Sequence, residues 1–257
     1  MRFDKVDLIK GVAVIFMVIF HIFYFPNQYG FKEFNYDTKT LTTLAKIAQI
    51  IFITGVGVNM YISYNSDQEK IKKDKKKKSE FLKKQLYRIL KLVLIAIFIS
   101  IFSYYIFGNM FVKFGILHFM AFSSLLLLPL VDSPKLLVVI VLVTLFIRYL
   151  IGKDKKIFYG VPPKIAFITG LYSSYGAVDH FPIIPWIVFI CIGIILGRVI
   201  TNKKNQDLLV DKKEDKNLIT KGVKWCGKNS LEIYVVHWIL LFIFFAYIYP
   251  KIRITNN

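Results

Sequence analysis

Apolar positions along the chain fall into seven runs of near-spanning length, separated by polar segments of uneven charge. The runs are Leu8 to Phe25, about Leu41 to Tyr64, Leu90 to Phe107, about Phe111 to Val131, Lys135 to Ile151, Ile183 to Ile200, and about Asn229 to Tyr249. A helix crosses the hydrocarbon core of a bilayer in about 20 residues. The pattern therefore predicts an all-α, polytopic membrane bundle of about seven transmembrane helices, forming a single domain over residues 1–257. Residues 152–182 break the pattern with glycines, Pro162-Pro163 and Asp179-His180. They read as a re-entrant segment through Ile165 to Tyr172, because non-helical backbone at membrane depth is tolerated only inside protein or beside a wet cavity. Thr54, Gly55, Gly57 and Asn59 in the second run, and Gly193 and Gly197 in the sixth, predict close helix packing.

Charge orients the bundle. Residues 65–91 hold eleven Lys or Arg against four acids, and residues 201–228 hold eight Lys against four acids. With a cytoplasmic N-terminus and seven crossings, 24 of the 35 basic residues face the cytoplasm, the asymmetry expected of multi-pass proteins, here one of the plasma membrane. The net charge of +19 does not imply nucleic acid, since the lysines concentrate between apolar runs without an aromatic-basic motif. Cys191 and Cys226 have no close pairing and no ligand spacing, so neither a disulfide framework nor a metal site is implied. The basic start is followed by no small-residue cleavage site after Phe25, so the first run reads as a retained helix.

That first run carries the most chemistry. Asp7, Lys10, Val14, Met17 and His21 share one helical face, with Lys10 and His21 about 16 Å apart along the axis. Ionisable groups within a span are expensive and mark sites. In the predicted topology His21, His118 and Asp179-His180 all fall toward the extracytoplasmic side. His237 lies mid-membrane on a face with Ser230 and Tyr234, where a helix-packing hydrogen bond is the expected role.

Six phrases occur in one order along the chain: Arg2-Phe3-Asp4; Asp7-Leu8-Ile9-Lys10-Gly11 leading to His21; Phe114-Gly115-Ile116-Leu117-His118; Asp179-His180-Phe181-Pro182 with Pro185-Trp186; Gly193 with Gly197-Arg198; and Gly227-Lys228-Asn229-Ser230-Leu231 through His237. Together they resemble the heparan-alpha-glucosaminide N-acetyltransferase catalytic-domain family. The first helix also resembles the arginine, ten residues, histidine motif of wider membrane sugar acyltransferases, with Lys10 in the arginine's place. The resemblance implies cytoplasmic acetyl-coenzyme A as acyl donor and a sugar or glycan acceptor across the membrane, with transfer to a hydroxyl or an amine. His21 would be the reactive imidazole, as general base or acyl-carrying nucleophile, assisted by Asp179 and His118. Lys10, with Arg2, Arg88 and Arg198, would hold the coenzyme phosphates, and the pantetheine arm would follow the stripe from Lys10 to His21. Asn59, His180 and Trp186 are candidates for the acceptor side, with Asn59 and His118 as donors to a developing oxyanion. No metal is required.

Two other classes fit parts of the pattern. A small transporter or lipid or glycan permease would also place His and Asp within the membrane, but would more often show an internal repeat, and none is seen. A non-enzymatic subunit would use Gly193 and Gly197 to meet a partner, leaving the histidines without a task; a homodimer is compatible with the acyltransferase reading.

Overall fold

The computed structural model describes residues 4–71, 76–172, 176–202 and 217–250. Among them are nine α-helices and no strand: α1 (Asp4–Gln28), α2 (Lys39–Ile71), α3 (Lys76–Phe107), α4 (Ile116–Leu127), α5 (Pro134–Lys153), α6 (Pro163–Thr169), α7 (Ile183–Ile200), α8 (Leu218–Lys228) and α9 (Ser230–Ile243). Six of these are long and apolar enough to cross a bilayer: α1, α2, α3, α5, α7, and α9 with the π-helical turn that carries it to Ile248. The protein is an all-α, multi-pass membrane protein.

Three expectations change. The lysine-rich segment 65–91, expected as a loop, is largely helical, because α2 runs on to Ile71 and α3 begins at Lys76. Lys, Glu, Gln and Leu favour helix, so the helices continue past their apolar runs. The segment before the last span is likewise partly helical, as α8. The fourth run does not start its helix at Phe111. Residues before Gly115 stay extended enough for Phe114 to bridge to His180, and α4 with its 3-10 turn covers only Ile116–Leu130. At 1.5 Å per residue those 15 residues reach about 22 Å, short of a hydrocarbon core of about 30 Å. The expected re-entrant segment contains α6, a seven-residue helix closed by Gly170 in the left-handed region at φ 85°. That conformation favours glycine at a helix end.

The chain divides into two compact units. One comprises residues 53–202. There α2 and α7 meet backbone to backbone: a Cβ on Gly57 would lie 2.2 Å from the Ile190 carbonyl oxygen, and one on Gly193 2.1 Å from that of Thr54. Gly197 faces Tyr61 in the same way. Gly193 and Gly197 are thus occupied by packing within the chain, rather than by the partner surface considered above. Beyond them, Ser63 Oγ accepts from Gln85 Nε2 at 2.7 Å and from Arg88 Nη1 at 3.0 Å, while Arg198 pairs with Asp132 at 3.6 Å. The C-terminal ends of α2 and α7 and the starts of α3 and α5 are tied together by these bonds. Just before the start of α4, Phe181 N–H donates to the Phe114 carbonyl at 2.8 Å and Val178 N–H to that of Met110 at 2.8 Å.

The other unit comprises residues 2–52 and 203–257, and within it α1 packs on α8 and α9. Glycine again permits the closest approach. A Cβ on Gly227 would sit 1.7 Å from the Asp7 carbonyl oxygen, and one on Gly11 1.9 Å from that of Val223. The chain turns between α8 and α9 at Asn229, whose side-chain amide donates to the Trp225 carbonyl at 2.9 Å. The phrase Gly227-Lys228-Asn229-Ser230 is therefore the corner that seats α9 against α1. Ala13, Val14, Met17 and Ala48 form the buried core here, with Ile233 and Tyr234 packed against it.

Candidate active site

The face of α1 singled out in the sequence is divided between charge at one end and imidazole at the other. Asp7 is buried and pairs with Lys10 at 3.2 Å, one helical turn apart. Lys224 of α8 approaches Asp4 at 3.7 Å. Both lysines lie mostly under cover, a placement that a buried cation sustains only with an anionic partner. Arg2, a further expected phosphate ligand, lies outside the described residues. Between the two ends the stripe is filled by protein. Val14 and Met17 are only 1% and 7% exposed.

His21 meets His237, the residue for which a helix-packing hydrogen bond was expected. His237 of α9 places Nε2 3.0 Å from His21 Nδ1, with the two ring centroids 5.0 Å apart. The Nδ1 of His237 lies 2.8 Å from the Ile233 carbonyl oxygen one turn back on its own helix. Phe25 and Trp238 close on the pair: His21 is 5.6 Å from the Phe25 ring and 6.4 Å from Trp238, and those two pack edge to face at 4.6 Å. Trp238 Nε1 is buried with no hydrogen-bond partner among the described residues. The signal for this pairing was the shared occurrence of one histidine in each of the first and last spans. Nothing in either helix alone specified that they face each other.

The remaining site residues sit in the unit of residues 53–202. Asp179 Oδ2 accepts from Ile116 N–H at 3.2 Å and crowds Gly115, so a carboxylate 63 residues away caps the start of α4. Anionic groups are favoured at a helix N-terminus, where backbone N–H groups lack partners. Burial nevertheless pushes the Asp179 carboxyl up to about 6, and the Ile116 N–H pulls the other way. His180 stacks on Phe167 at 4.0 Å and its Nε2 bonds the Phe167 carbonyl at 2.9 Å. Burial lowers its pKa, against that bond. Trp186 packs on Phe181 at 4.8 Å.

His118 Nε2 lies 3.1 Å from Ser100 Oγ, and Ser100 Oγ donates to the Val112 carbonyl at 2.6 Å. A hydroxyl has one proton, so Ser100 must accept from His118 Nε2–H. In its neutral form the ring then has only Nδ1 left, as an acceptor, and donation to an oxyanion would need the imidazolium. Asn59 lines a cavity of about 140 Å³ with Val56, Gln85, Arg88 and Ser124. Arg88 and Ser100 are twelve residues apart on α3, about 18 Å along the axis. The structure thus groups Asn59 with Arg88, and not with His118.

No curated protein and no solved structure matches the chain. The family model for the catalytic region of heparan-alpha-glucosaminide N-acetyltransferase matches residues 2–239 and runs through α1, the Asp179 segment, the Gly227 corner and His237. With nearly the whole length matched, the chain belongs to the heparan-alpha-glucosaminide N-acetyltransferase catalytic family of acetyl-coenzyme A-dependent membrane acetyltransferases.

Proposed function

We propose that this protein transfers an acetyl group from cytoplasmic acetyl-coenzyme A to an amine or hydroxyl of a sugar or glycan on the extracytoplasmic side of the plasma membrane, with His21 as general base. The observation that carries the reading is the His21–His237 pair, set inside the segment that the family match covers. His21 takes a proton from the acceptor as its nitrogen or oxygen attacks the thioester carbonyl. The tetrahedral adduct collapses, the carbon–sulfur bond breaks, and the proton passes to the departing thiolate. Proton transfer of this kind contributes about 10²- to 10⁴-fold in rate. Lys10, held beside Asp7 near the start of α1, is proposed as a coenzyme-phosphate contact.

The topology belongs to the same proposal. Counting α4 as a crossing places residues 65–91 and 202–228 on one side; leaving it out separates these two basic segments, against the usual charge asymmetry. Seven crossings with a cytoplasmic N-terminus follow. Reaction of cysteine probes at residues 65–91 with impermeant reagent in intact cells would overturn that orientation. The activity is tested with labelled acetyl-coenzyme A, purified protein and a panel of amino sugars and glycan extracts. Transfer that disappears in His21→Ala while coenzyme binding persists is expected. Coenzyme A failing to bind the intact protein would sink the reading.

A further inference from the structure

We propose that His237 is a positioning residue that fixes His21 in the tautomer a general base requires. The inference rests on the acetyl-transfer reading above and assigns the group that acts through His21. A backbone carbonyl can only accept, so the 2.8 Å contact to Ile233 obliges His237 Nδ1 to carry a proton. In the neutral ring, Nε2 of His237 is then a lone pair. It faces His21 Nδ1 at 3.0 Å, and that contact needs one proton, which only His21 can supply. The Met17 backbone, one turn back on α1, also hydrogen-bonds the His21 ring. The proton order is therefore set by a carbonyl at the end of the chain: Ile233 oxygen, His237 Nδ1–H, His237 Nε2, His21 Nδ1–H. His21 Nε2 is left as the basic nitrogen.

In serine hydrolases a carboxylate orients the imidazole in this way and stabilises its charged form. Here a second imidazole does so without placing an anion in an apolar surround of Phe25 and Trp238. When His21 Nε2 accepts the proton of the attacking group, the Nδ1–H bond to the His237 lone pair strengthens, because a charged donor forms the stronger bond. That proton then leaves to the thiolate of coenzyme A, and both rings return to their starting tautomers.

Two variants separate positioning from packing. His237→Phe keeps a ring but removes the acceptor, and is expected to lower kcat on the order of 10²-fold with little change in KM for acetyl-coenzyme A. His237→Gln, whose side-chain oxygen can accept at similar reach, should regain most of that loss. A packing role would instead move thermal stability and KM together, with no rescue by Gln. Imidazole ¹⁵N NMR of the intact protein in detergent should show His21 protonated at Nδ1 and bare at Nε2, becoming a mixture in His237→Phe. A wild-type His21 protonated at Nε2 would overturn the inference, as would wild-type kcat in His237→Phe beside an inactive His21→Ala. If His21→Ala itself turned over normally, the general-base reading would fall, and that outcome is distinct from both.

Discussion

His21 and His118 sit in similar apolar surroundings on the first and fourth apolar runs, yet their nitrogens are used differently. His118 commits its N–H to Ser100, which passes its own proton to the Val112 carbonyl. The result ties α3 to the extended stretch that precedes α4. His21 also commits one nitrogen, but to another imidazole whose far side is anchored on a carbonyl. Each ring keeps one lone-pair nitrogen, but the arrangement at His118 ends in a backbone cross-link between neighbouring segments, whereas that at His21 runs through a second ring on another helix. The lesson is that a histidine in a membrane helix is judged by where its two nitrogens go, rather than by its depth.

The largest effect that would sharpen this contrast is in turnover. His21→Ala should lower kcat by about 10²- to 10⁴-fold, as loss of a general base does, while the protein stays monodisperse and binds coenzyme A. Near-normal turnover in that variant would erase the distinction. Ser100→Ala should do the opposite, costing about 1–3 kcal/mol of stability through the unpaired His118 N–H and Val112 carbonyl, with kcat altered only a few-fold. A thermal-unfolding scan and an activity assay on the same sample decide between the two patterns.

Smaller effects are expected away from the histidines. Lys10→Ala should raise KM for acetyl-coenzyme A, and Lys10→Arg should hold it or lower it, because a guanidinium suits phosphate at least as well as an ammonium. Equal KM in both variants would move the phosphate contact to Arg88. The smallest effect concerns Asp179. Its carboxyl sits at 3.8 in the unfolded chain and about 6 when folded, so the folded state binds the proton more tightly. This group favours folding most below pH 4, and that contribution is lost as pH rises to about 6. Asp179→Asn, which stays neutral and can still accept from Ile116 N–H, should flatten this part of the stability profile. An unchanged slope between pH 4 and 6 would show that another group governs it.

Six of the spans were legible in the sequence because continuous apolar runs need no partner to be recognised, and the bilayer sets their length. The resemblance to the acetyltransferase family was legible as well, since its phrases keep their order. Helix ends were harder to place. The mostly apolar stretch Phe111 to Gly115 reads the same in extended backbone as in a helix, and the Asp179 carboxylate that bonds Ile116 N–H at the start of α4 comes from 63 residues away. Likewise Gly11 and Gly227 are two ordinary small residues until backbone contact shows that neither tolerates a Cβ. The partner of His237 was decided by tertiary structure alone. Its spacing within α9 suggests a packing hydrogen bond, but the ring it meets lies 216 positions earlier, and a hydrogen bond between two rings exists only once both helices are in place.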